Sequence, residues 1–186
     1  RSLDVFQGFV MTWQYNKELM DEAGLDPQAD VKSWDDLKKW LTEGTAWAAA
    51  TDGVDWFYNQ AWHNWVFGNN YMDAIPLAFA DGQRDRQRDA WMGKAKFNAE
   101  DSPYRHAYEF FVEANDNGWI PPSMWTRQRE GDMEASYIAG NSVMMMHGPW
   151  VWDKALAAGS TFTQDGIPLT PPADGGQWWQ SALPPS

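Results

Sequence analysis

The stretch from Gly140 to Leu156 constrains the fold more than any other part of the chain. Val143 to Met146 is an unbroken apolar run, bounded by Gly140 and Asn141 before it and by Gly148 and Pro149 after it, the pattern of a strand covered on both faces. Pro149 fixes a backbone angle that suits a helix start. Val151 with Ala155 and Trp152 with Leu156 then recur at helical spacing until Gly159 closes the turn. Strand, tight turn and helix are therefore expected in succession. Trp150 falls in the first helical turn, where it need not join the core stripe, and it lies beside the carboxyl end of a buried strand. In open α/β sheets that edge is where ligands bind.

With 186 residues, 44% of them hydrophobic, the chain can bury a real core, and its length suits one domain or one large lobe. The formal charge of −12, from 14 basic and 26 acidic residues, argues against nucleic acid, because counterion release needs clustered Lys and Arg. There is no cysteine, so neither a disulfide framework nor a thiolate metal site arises, and the redox compartment stays open. The three histidines are too scattered to suggest a metal centre. No apolar run approaches the roughly 20 residues that span a bilayer. The outlier is aromatic content: 14 Trp among 186 residues need partners for their indole N–H groups, so some are expected to face a groove.

In chain order, Phe9 to Trp13 resembles a strand arriving from elsewhere. Asn16 can cap a helix from Lys17 to Ala23 that stops at Gly24. Ser33 with Asp36 approximates a capping box, and Leu37, Trp40 and Leu41 form the apolar face of a helix predicted to end near Gly44. Thr45 to Gly53 reads as a loop and Val54 to Tyr58 as a short strand. Trp62, Trp65, Val66 and Asn69 have the spacing of a helix that begins near Gln60. The charge-alternating stretch from Asp81 to Lys96 reads as a solvated loop with local ion pairs. Ser102 as cap, Pro103 as first residue and a stripe of Tyr104, Ala107, Tyr108, Phe111 and Val112 mark the strongest helix, with Gly118 its stop. A helix from about Asp132 to Ala139, using Met133, Tyr137 and Ile138, leads to the strand at Val143. Gly166 to Pro172 reads as an edge strand, since its prolines cannot serve a central ladder. The Gly- and Pro-rich tail ends without a closing helix, which suggests an incomplete chain.

Tyr15, Asn16, Lys17, Glu18 and Leu19, then Ala23, Gly24, Leu25, Asp26 and Pro27, then Ser33, Trp34, Asp35, Asp36 and Leu37 resemble the crossover segment of extracellular sugar-binding proteins of ABC importers, the group that includes maltose-binding protein. The succession Asp116, Asn117, Gly118, then Ala139 and Gly140, the apolar strand, and Gly148, Pro149 and Trp150 is similar to the same family, as is Ile167 to Pro172 followed by Gly175 and Gly176. Two features depart from the pattern: a lobe of comparable size and further helices are missing from this chain, and His147 stands where Asn is usual before Gly-Pro-Trp.

The resemblance implies an α/β, periplasmic-binding-protein-like (type II) lobe with helices packed on a mixed sheet and the second lobe largely absent. Residues 1–14 would be a crossover from a missing N-terminal lobe, 15–176 the C-terminal lobe, and 177–186 a tail near the hinge. It implies an exported bacterial protein of the periplasm or cell surface, a monomer that captures a neutral carbohydrate for an ABC permease without a cofactor. A sugar ring offers an apolar C–H face and a rim of hydroxyls, so its binder needs an aromatic plane edged by planar polar groups. Trp150 matches the stacking Trp of the family's Gly-Pro-Trp turn. Gln60, Trp62 and His63 match the start of a pocket helix, and Trp13, Trp178 and Trp179 are further candidates. Trp40 and Trp65, on helical stripes, are expected in the core, and His106 and His147 as hydrogen-bonded structural residues.

Two other readings share part of this chemistry. Paired carboxylates hydrolyse glycosides, but no Asp or Glu stands in a recognisable nucleophile or acid context, and phosphate loops, serine elbows and zinc-protease motifs do not occur. A carbohydrate-binding module would display Trp in the same way, yet such modules are β-rich, whereas helices are well signalled here.

Overall fold

The computed structural model describes residues 12–62, 84–148 and 150–168, with backbone alone at 84–87 and 166–168. β1 (Thr12–Asn16) leads into α1 (Lys17–Glu22), α2 (Pro27–Asp30) and α3 (Trp34–Ala50), followed by β2 (Trp56–Tyr58). After α4 (Arg84–Trp91) and α5 (Pro103–Asp116), a π-helical turn (Arg129–Glu134) runs into α6 (Ala135–Ile138), and β3 (Ser142–His147), α7 (Trp150–Ala157) and β4 (Gln164–Pro168) complete the order. The four strands form one mixed sheet in the order β2-β3-β1-β4. β2 pairs parallel with β3, while β1 is antiparallel to both β3 and β4. β4 is an edge, as its proline requires.

Every residue of β3 is buried. Met144 and Met146 pack on one face with Trp13, Tyr15, Leu41 and Phe111, whereas Met145 packs on the other with Met133, Tyr137 and Val151. The continuous apolar run thus has its expected cause, helices on both sides of the sheet.

Local chemistry sets the helix starts. Asn16 accepts the Leu19 N–H through its side chain at 3.1 Å, and Ser33 accepts that of Asp36 at 3.1 Å. Gly24 and Gly118 follow α1 and α5 with φ of 68° and 70°, a left-handed turn that glycine enters without a Cβ clash.

Five sequence expectations change. α3 does not stop at Gly44 but continues to Ala50. Gly44 faces Phe57 so closely that a Cβ there would lie 2.3 Å from the ring, so this glycine permits helix–strand contact and is not a stop. Residues 84–91 form a helix rather than a loop; their Arg, Gln and Ala are good helix formers, and Trp91 packs edge-on to Phe97 and Tyr104. Ser102 occupies the cap position of α5 without making a side-chain cap bond. The buried stripe of α5 includes Phe110 and Ala114, leaving Tyr108 and Val112 45% and 54% exposed. The helix expected from Gln60 does not begin by Trp62, and Trp65, Val66 and Asn69 lie outside the described residues.

Candidate functional site at the sheet edge

Because β2 and β3 are parallel, their carboxyl ends reach the same edge of the sheet, and antiparallel β1 brings its amino end there. In register, Thr12 is opposite His147 and Trp13 opposite Met146. Asn59 to Trp62 leave β2 at this edge, and His147, Gly148 and Trp150 leave β3 there. One sheet edge therefore gathers Trp13, Gln60, Trp62 and Trp150. His63, Trp178 and Trp179 lie outside the described residues, as does Pro149.

Trp150 opens α7 and is partly exposed. Its indole folds back over the Gly148 backbone: a Cβ built on Gly148 would fall 1.8 Å from the ring. The His147 ring stands 5.1 Å away at an interplanar angle of 64°, an edge-to-face contact. Trp62 is also partly exposed. Its backbone N–H donates to the Met124 carbonyl at 2.7 Å, and its ring meets Phe111 edge-on and Trp125 at 4.5 Å. Trp125 is 45% exposed; its only sequence signal is that of an aromatic residue shortly after the consecutive prolines Pro121 and Pro122. Gln60 is buried. Trp13 is only 1% exposed and packs edge-on to Tyr58 at 5.9 Å, within the core cluster.

The sequence also gave no sign of the charged cluster behind Trp150. Glu134, at the end of the π-helical turn, is buried, and its Oε1 lies 2.8 Å from Nε2 of the fully buried His147. Its Oε2 accepts from Lys154 Nζ at 2.6 Å, and Arg129 Nε lies 3.0 Å from Oε1. His147 Nδ1 is 3.0 Å from the Gly148 carbonyl oxygen, so both ring nitrogens face an oxygen atom. Burial pushes the Glu134 carboxyl up, but the hydrogen bonds and charges of His147 and Lys154 outweigh it and hold the group at about 2. Asn59 donates to the Met133 carbonyl and Ser142 Oγ at 3.1 and 2.9 Å, and accepts from Arg127 at 2.9 Å. It pins the turn that carries Glu134 to the sheet edge.

No group of His, Asp and Glu side chains suited to a metal ion occurs among the described residues. A separate groove of about 550 Å³ lies along α5, lined by Phe97, Arg105, Tyr108, Glu109 and Val112. None of the sheet-edge residues lines it, and it presents one helix face rather than convergent polar groups.

The fold, helices on both faces of a mixed sheet, is similar to that of part of solved periplasmic-binding-protein-like structures. The chain is similar in structure to a family 1 extracellular solute-binding protein from Bifidobacterium longum subsp. infantis, at 20% identity and a TM-score of 0.64, over 91% of this chain and 41% of that one. It is also similar to a sugar transporter from Bacillus licheniformis in complex with stachyose, at 13% identity and a TM-score of 0.69, over 94% and 46%. A third neighbour is UgpB from Mycobacterium tuberculosis in complex with glycerophosphocholine, at 15% identity and a TM-score of 0.58, over 90% and 38%. The chain therefore spans less than half the length of these neighbours. No protein-family model matches the chain, and no curated protein matches it in sequence.

Proposed function

We propose that the chain is part of the ligand-capturing component of an ABC importer of carbohydrates, and that Trp150 is its stacking platform. One observation carries this reading: an indole partly open to solvent, seated over a glycine backbone just past the carboxyl end of the central strand. Stacking on a pyranose needs a flat apolar surface held at a fixed angle, with polar groups nearby. Trp62, with Trp125 beside it, and the two candidates in the tail, Trp178 and Trp179, would extend that surface; His63 would supply polar contacts. Trp13 and Gln60, both buried as they stand, would serve chiefly as support.

The fold neighbours are named as binding and transport proteins, which favours capture without covalent chemistry. Stachyose in one of them favours a neutral oligosaccharide, and glycerophosphocholine in another sets the competing ligand class. The protein would be an exported monomer, closing two lobes on the sugar and presenting the closed form to a permease. No described helix is long and apolar enough to cross a membrane.

Calorimetric titration of the complete protein with mono- and disaccharides, stachyose and glycerophosphocholine tests this reading. Trp150→Ala should remove most of the sugar affinity and leave the fold intact. Equal affinity in the variant would take Trp150 out of the site, and binding of glycerophosphocholine alone would replace the ligand class.

A further inference from the structure

His147 and Lys154 flank Trp150, one at the end of β3 and the other four residues later on α7, and positions four apart share a helix face. Both reach the same buried carboxylate. Glu134 Oε1 meets the imidazole at 2.8 Å and Oε2 meets the ammonium at 2.6 Å, while Arg129 closes the cluster from the π-helical turn itself. The His147 ring, held at its other nitrogen by the Gly148 carbonyl, presents its edge to the indole. Gly148 in turn lies directly beneath that indole. The strand end, the turn and the helix that determine where the Trp150 ring stands are thus tied to a single side chain.

From this we infer that Glu134 is the positioning residue of the Trp150 platform, setting the angle of the indole through His147 and the seat of its helix through Lys154. The functional weight of this role rests on the proposed assignment of Trp150 to the ligand. A platform fixed before the ligand arrives loses less rotamer freedom on binding, and a misplacement of about 1 Å is enough to weaken a recognition geometry strongly. A carboxylate buried solely for stability would be a poor choice, because an apolar residue of similar size often serves as well. Glu134 is buried with Met133 at the end of a π-helical turn, and such turns recur at functional sites.

The test reads the indole directly and needs no ligand. In the complete protein labelled with ¹⁵N-tryptophan, the Trp150 indole N–H resonance is assigned by its loss in Trp150→Phe. Glu134→Gln keeps the shape but removes the charge. His147→Gln keeps an N–H donor for Glu134 but removes the ring edge, and Lys154→Met cuts the tie to α7. Each should shift or broaden the Trp150 resonance while the resonances of core indoles such as Trp40 stay in place, and Leu156→Ala on the exposed side of α7 should change nothing. An unmoved Trp150 resonance in folded Glu134→Gln overturns the inference. If Glu134→Gln does not fold, unmoved resonances in both His147→Gln and Lys154→Met overturn it equally. Failure of the sugar reading would register elsewhere, as unchanged affinity in Trp150→Ala, with the resonance result standing on its own.

Discussion

Glu134 illustrates how far a single residue departs from its sequence appearance. Among Arg129, Glu130 and Asp132 it looks like one more solvated charge, yet it is 2% exposed and lies against Arg129, Lys154 and the His147 imidazole. Its folded pKa is about 2, below the ordinary 4.5. Between those values the unfolded chain binds more protons than the folded one, so the stability from Glu134 is present above about pH 4.5 and is lost as pH falls toward 2. Urea titrations at stepped pH should give a wild-type stability that falls more steeply from pH 5 to pH 2 than that of Glu134→Gln; parallel curves would refute the ion cluster. Gly44 is the second such residue. Its Cβ would lie 2.3 Å from the buried Phe57 ring, so Gly44→Ala should destabilise by about 1–3 kcal/mol despite alanine's better helix propensity, read as a lower urea midpoint.

At the scale of elements, start signals were more legible than stops. Caps act within three residues, so Asn16 and Ser33 announce α1 and α3 from sequence alone. A glycine inside an amphipathic pattern has two causes, termination or close packing, and only Phe57 decides between them for Gly44. The alanines after it are good helix formers and carry α3 to Ala50. Ala46 is exposed there, so Ala46→Pro tests helix continuity without touching the core. We expect a loss of about 3 kcal/mol or more in denaturant unfolding, where a loop would tolerate the proline. The two serines at cap positions should separate as well. Ser33→Ala should cost about 1 kcal/mol, and Ser102→Ala close to nothing, since Ser102 makes no cap bond. The buried stripe of α5 includes Phe110, 2% exposed, because it packs on Trp119 just beyond the helix and on Trp34, an aromatic partner far away in sequence.

For the molecule as a whole, the proposed mechanism is closure of two lobes on a sugar. Small-angle scattering of the complete protein should show a smaller radius of gyration at saturating stachyose, or whichever sugar the titration identifies, and Trp150→Ala should need far more ligand for the same contraction; equal contraction at equal sugar would count against the platform. The apolar run of β3, the caps at Asn16 and Ser33 and the proline of an edge strand follow from local sequence, because each depends on backbone angles or periodicity within a few residues. Trp40 was rightly expected in the core on the same grounds. What folding alone decided is which groups meet: the parallel pairing of β2 with β3 that collects Trp62 and Trp150 at one edge, and the inward turn of Glu134 toward His147 and Lys154. Residues 13 and 20 positions apart along the chain become hydrogen-bonded neighbours there, and no periodicity within either segment encodes that encounter.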